Sequence, residues 1–75
     1  MNIYDELIEI AAAVLKKPAD TVLPDRSIEE QGGDSLDIVE ILLQVEDRYG
    51  VYVPDSAVVE MRTLAELSAW LEENA

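Results

Sequence analysis

Seventy-five residues, almost half of them apolar, make one small domain: too short for two cores and too apolar to be disordered by composition. Seventeen acids against five bases leave a formal net charge of −12, which repels nucleic acid phosphates and anionic headgroups and attracts partners carrying Lys and Arg patches. With no cysteine and no histidine, disulfides are excluded, a structural zinc site is disfavoured, and stability rests on packing alone.

The chain opens with "MNIYDELIEI", which has acids where a signal peptide needs basic residues. No apolar run approaches a membrane-spanning length, so the expectation is a cytoplasmic protein without a membrane anchor. Ile3, Leu7, Ile10, Ala11 and Val14 recur at helical spacing and predict an amphipathic helix from about residue 3 to Lys16. Asn2 is its N-cap, Lys16 and Lys17 complement the dipole at its end, and Pro18 stops it.

Residues 17 to 34 then form a long connection with Pro18, Pro24, Gly32 and Gly33. Val22, Leu23 and Ile28 are expected to pin it to the core. "SIEE", Ser27 to Glu30, fits a capping box and predicts a single helical turn. A second helix runs from about Ser35 to Tyr49, closed by Gly50. "VYVPDS" makes an extended bridge, because residues before a proline avoid the helical region. Asp55 to Met61 forms a brief helix. "TLAE", Thr63 to Glu66, is a second capping box, opening a helix whose inner face is Leu64, Leu67 and Leu71, with Trp70 beside it. Three main helices and one short one, joined after residue 34 by brief connections, give an all-α bundle with a long loop between helices one and two.

The second helix carries two apolar faces. At about 100° per residue, Ile38, Ile41, Leu42, Val45 and Tyr49 cluster as a core face, whereas Leu36, Val39 and Leu43 fall on another stripe. Glu40, Glu46 and Asp47 flank that second stripe. Leucines rimmed with acids read as a docking surface, since unpaired carboxylates are costly to bury.

Ser35 stands at the start of this helix in "GGDSLDIVEILL". A nucleophilic serine needs a base, and the chain has no imidazole to serve. Asp34 is able to act as N-cap, leaving the Ser35 hydroxyl outside, where helix N–H groups and the macrodipole favour a phosphate. Paired acids such as Glu29 and Glu30 sit on a solvated loop, and the alternating ligands of a calcium loop are absent, so catalysis and metal binding carry little weight.

"GGDSLDIVEILLQVEDRYGVYVPD" resembles the acyl carrier proteins, whose hallmark is a D-S-L tripeptide opening an acidic second helix. The resemblance covers nearly the whole chain, as one acyl-carrier-like domain over residues 1–75. It implies that Ser35 is the attachment site of 4′-phosphopantetheine, transferred from coenzyme A by a separate magnesium-dependent phosphopantetheinyl transferase. The arm ends in a thiol that carries acyl groups as thioesters, so the working sulfur is imported and the chain is no enzyme.

Asp34 and Leu36 correspond to neighbours that the transferase and other partners recognise, and Asp37, Val39, Glu40, Leu43, Glu46 and Asp47 fall on the family's recognition helix. The partners implied are acyl-loading and acyl-processing enzymes with basic patches, and a monomer fits the charge. Family members also shelter their cargo among the helices, which makes Ile41, Val45, Val58, Met61 and Leu67 candidate lining residues.

Two departures from the family stand out. Either Gln31 occupies the place of a usual Leu before the glycine pair, or the loop is one residue short with Ile28 in the usual Phe position; and "SAVVEM" replaces the acids that carriers of fatty acid synthesis show after Pro-Asp. The expected pathway is dissociated (type II) fatty acid synthesis, with a free-standing carrier of a polyketide, nonribosomal peptide or specialised lipid pathway as the alternative. An unmodified acidic adaptor, holding partners through helix two alone, is the alternative of another class.

Self-repulsion at −12 loosens the folded state. Magnesium or added salt is therefore expected to raise the melting temperature measured by circular dichroism; an unchanged Tm would contradict this.

Overall fold

The computed structural model describes residues 2–74. Helix α1 spans Ile3–Leu15 and begins as its cap dictates: Asn2 Oδ1 accepts the Asp5 N–H at 2.8 Å. It stops one residue short of the expected end, because Lys16 turns left-handed at φ 58° and the Lys17 N–H returns to the Ala12 carbonyl. Lys17 precedes Pro18 and is driven from helical geometry, so the chain turns before the proline is reached. Leu7, Ile10, Ala11, Ala12 and Val14 are buried, and Ile3 is half-buried.

The long connection contains a 3-10 turn at Ala19–Thr21, which the sequence pattern did not suggest, and a second at Glu29–Gln31. The second follows from the expected capping box: Ser27 N–H donates to Glu30 Oε1 at 3.0 Å and Glu30 N–H to Ser27 Oγ at 3.1 Å. The Ser27 N–H, and then the Ser27 hydroxyl, hold the Glu30 carboxyl below its usual range. Val22 and Ile28 are buried as expected. Leu23 is not: it stays 47% exposed, because its backbone rather than its side chain is fastened.

Helix α2 spans Ser35–Tyr49, with Gly50 left-handed behind it. Helix α3 spans Asp55–Glu60 and α4 Leu64–Asn74, opened by the Thr63–Glu66 capping box. The order is α1, α2, α3, α4, and no strand forms among the described residues. Both α2 and α4 pack on α1. The core joins Leu7, Ile10 and Val14 of α1 to Ile41 and Val45 of α2 and to Leu64, Leu67 and Leu71 of α4. Trp70 is half-buried against it. Helix α3 buries no side chain completely among its described residues.

Polar clamps close the bundle. Tyr49 OH donates to Glu6 Oε1 at 2.6 Å and Arg48 Nη1 donates to Glu6 Oε2 at 3.1 Å, tying the end of α2 to the start of α1. An antiparallel bridge between Ser27 and Thr63, with Ala65 N–H donating to the Pro24 carbonyl, fastens the connection to the α3–α4 joint.

Burial, then the hydrogen bond to Glu6 and its charge, pushes the Tyr49 phenol up from 10.0 to about 12. The Tyr49 hydroxyl, ahead of the Arg48 charge, holds the Glu6 carboxyl below the usual 4.5. The Tyr49 contribution to stability is thus complete below pH 10.0 and lost as pH rises through about 12. The Glu6 contribution is present above 4.5 and lost as pH falls through its depressed value. Urea unfolding across the alkaline range should show stability falling between pH 10 and about 12, with Tyr49→Phe flattening the fall. An alkaline slope unchanged by that substitution would refute the clamp.

Candidate functional site

The segment leading into α2 is built to a tight specification. Gln31 reaches back across the connection: its Oε1 accepts the Leu23 N–H at 2.7 Å, and its Nε2 donates to the carbonyls of Leu23 at 2.8 Å and Arg26 at 3.2 Å. This amide does with hydrogen bonds what an apolar side chain would do by burial. Gly32 follows at φ 99°, a conformation costing other residues about 1–2 kcal/mol. Gly33 then runs against the core, where a Cβ would overlap Ile28 Cγ2 and come within 2.8 Å of Leu15 Cδ2.

Asp34 caps α2 through a reciprocal box: Asp37 N–H donates to Asp34 Oδ1 and Asp34 N–H to Asp37 Oδ2, both at 3.0 Å. Ser35 is consequently the first helical residue, and it is exposed. Among the described residues its hydroxyl has no hydrogen-bond partner. The capping task belongs to Asp34, which leaves the Ser35 oxygen with none.

Beyond Ser35, the second stripe of α2 faces solvent: Leu36 is 75%, Val39 51% and Leu43 59% exposed. Asp34, Glu40 and Asp47 are exposed as well. Asp37 and Glu46 are half-buried and their carboxylates serve the fold, Asp37 through the cap and Glu46 by accepting the Val53 N–H at 2.8 Å. From Glu29 to Asp47 the chain has seven acids and no base. An apolar stripe of this kind inside a single-sign field attracts cationic surfaces and rewards apolar contact on arrival. Tyr52 and Val59 are further large apolar side chains left exposed.

On the other side of α2 lies a cavity of about 450 Å³. Ile38, Ile41 and Leu42 of α2, Val58 and Val59 of α3, Met61, Leu64 and Leu67, and Ile28 of the connection give it aliphatic walls. Glu29, Arg62 and Thr63 add a polar edge. Of the expected lining residues, Ile41, Val58, Met61 and Leu67 meet here. Val45 does not: it is fully buried in the core one turn beyond Ile41 and is not among the residues that line the cavity.

Periodicity missed Ile38 and Leu42 as walls only because it filed them with the core face. Nothing in the sequence marked Arg62 or Glu29, which reach the cavity through folding alone. Ile38 and Leu42 follow Ser35 by three and seven positions, on the same side of the helix. At 1.5 Å per residue the farther of them lies about 10 Å along the axis.

Chemically, the arrangement offers a hydroxyl to be modified. With no histidine or cysteine in the chain, Ser35 has no side-chain base of the usual kind. Among the described residues no cluster of His, Cys, Asp and Glu suits a metal ion. No helix among them is long and apolar enough to cross a membrane.

Comparisons with known proteins converge. The family model for the phosphopantetheine attachment site matches residues 5–71. An acyl carrier protein of Campylobacter hominis is 29% identical over 73 residues, covering 96% of this chain and 92% of that protein. An acyl carrier protein of Rickettsia canadensis is 32% identical over 73 residues, covering 96% and 85%. Among solved structures, the NMR structure of the HMG-ACPI domain from the CurA module of Lyngbya majuscula is similar with a TM-score of 0.84, over 95% of this chain and 72% of that one. At 22% identity that last likeness is one of fold.

Gly33→Ala tests how the head of α2 is held. The Ile28 methyl is fixed close to its backbone and cannot swing aside as a long side chain would, so overpacking should cost about 1–3 kcal/mol in urea unfolding. A neutral result would show that the connection is looser than described.

Proposed function

The chain belongs to the phosphopantetheine attachment site family, that of the acyl carrier proteins, and on this premise we propose that Ser35 bears the arm and that α2 presents it to partner enzymes. The protein is a carrier and not an enzyme, and its cofactor is a covalently attached 4′-phosphopantetheine. Its family works with phosphopantetheinyl transferases and acyl-processing enzymes.

The observation that carries the assignment is the exposed Ser35 hydroxyl, without a hydrogen bond among the described residues, at the head of α2. It fits the group: Asp34 does the capping, the oxygen is open to a transferase, and the helix N-terminus opposes little to a phosphodiester. Ser35 Oγ gives up its proton and gains a bond to phosphorus, while the anhydride of coenzyme A breaks and adenosine 3′,5′-bisphosphate leaves. The arm supplies the terminal thiol that holds acyl groups as thioesters.

The other residues orient and recruit. Asp34 and Asp37 fix the first turn of α2, and Leu36, Val39 and Leu43 give partners apolar contact. Glu40 and Asp47, with Glu46 at the edge, steer basic surfaces toward the serine. The cavity beside Ile38 and Leu42 is the shelter for a bound chain, with Ile41, Val58, Met61 and Leu67 in its walls.

Residues 1–75 act as one domain, a monomer in the cytoplasm, and the net charge of −12 keeps like copies apart. Dissociated (type II) fatty acid synthesis is the pathway we favour, on "DSLDIVEILL". One observation favours a specialised lipid, polyketide or peptide pathway instead: α3 shows Ser56 and an exposed Val59 where an acidic edge would bind cations.

Incubation with coenzyme A, magnesium and a phosphopantetheinyl transferase should add the mass of the arm to the wild type and nothing to Ser35→Ala. Leu43→Glu should lower the transferase kcat/KM about tenfold while leaving the fold intact, since Leu43 is exposed. An unmodified wild-type chain would overturn the reading.

A further inference from the structure

The polar edge of the cavity is uneven in what it offers. Glu29, Arg62 and Thr63 border a space otherwise enclosed by aliphatic side chains. A saturated chain needs only those walls. A chain bearing an oxygen needs a donor too, because a carbonyl taken out of water without a hydrogen bond is penalised.

Two of the three side chains are able to donate. The Thr63 hydroxyl is already committed: it donates to Glu66 Oε1 at 3.1 Å and accepts the Glu66 N–H at 3.2 Å. Arg62 is left. Its guanidinium has five N–H donors and, among the described residues, no side-chain hydrogen bond and no close ion pair. After the hydrogen bonds from the Arg62 N–H and Thr63, its charge also helps hold the Glu66 carboxyl below its usual range.

Its backbone, by contrast, is held: the Arg62 N–H donates to Glu66 Oε1 at 3.0 Å, and Thr63 bridges to Ser27. The facing wall, α3, buries none of its described side chains and is the part with room to adjust. A donor rooted in a fastened joint opposite an adjustable apolar wall is suited to reading a cargo. Glu29 and Glu66 set the charge. With Glu29 on the edge and the Glu66 carboxylate already in the field of Arg62, in a chain of net −12, a carboxylate gains little and a neutral oxygen gains most.

We infer that Arg62 makes the cavity selective for acyl chains carrying a neutral oxygen substituent, an oxo or hydroxyl group, over saturated chains of the same length. The inference rests on the carrier reading of Ser35 and goes on to name the class of cargo.

The test loads the full chain at Ser35 with octanoyl or 3-oxooctanoyl groups, using a phosphopantetheinyl transferase and coenzyme A analogues in which an amide replaces the labile thioester. Intact mass reports loading, and thermal unfolding reports sequestration. In the wild type the 3-oxooctanoyl form should melt about 4 °C or more above the octanoyl form. Arg62→Met should abolish that difference while keeping the octanoyl form as stable as before; its exposed side chain and retained backbone N–H leave the fold undisturbed. Equal melting of the two loaded wild-type forms, or a difference that survives Arg62→Met, overturns the inference alone. A chain that takes up no mass at Ser35 overturns the carrier reading and the inference with it.

Discussion

The close approach of Gly33 to Ile28 and Leu15 is the constraint on which the rest depends. The connection between α1 and α2 is long and has two buried apolar anchors, Val22 and Ile28. Loop closure of that length is cheap to form but gives little to hold a defined geometry. Hydrogen bonds supply what apolar contact does not. Gln31 ties its amide to the Leu23 backbone, Ser27 and Glu30 bond reciprocally, and Thr63 bridges to Ser27. With the chain pinned at Gly33, Asp34 arrives in register to cap α2, and Ser35 is left facing outward.

From that point α2 serves two solvents. Ile41 and Val45 are buried in the bundle, while Leu36, Val39 and Leu43 stay exposed. A small bundle ordinarily hides its large aliphatic side chains, and three in one stripe are costly to leave in water. In the carrier role proposed above they give partners apolar contact, and like-charge repulsion among the surrounding acids opposes self-association. The same acids weaken the folded state, so clamps such as Glu6 with Tyr49 and Arg48 fall where they join distant parts of the chain.

The α3–α4 joint shows a similar division. Glu66 accepts the N–H groups of Arg62 and Thr63 and the Thr63 hydroxyl, and these bonds hold its carboxyl below the usual range. One carboxylate thereby fixes the edge of the cavity, whereas α3 on the other side rests on partly buried Ala57 and Val58. A rigid edge and a loosely seated wall allow a cavity to accept a guest without disturbing the α1–α2–α4 core.

The sequence by itself determined what depends on neighbours three or four positions apart. The caps at Asn2, Ser27, Asp34 and Thr63, the stripe of Leu64, Leu67 and Leu71, and the two faces of α2 are all local patterns, because cap bonds and helix faces repeat at helical spacing. Tertiary structure decided what needs segments far apart in the chain. It left Leu23 exposed, sent Gln31 back eight residues, turned Glu46 to the Val53 N–H, shut Val45 out of the cavity and brought Arg62 into it. No period or motif encodes those outcomes, since each depends on which surfaces meet once the helices have packed.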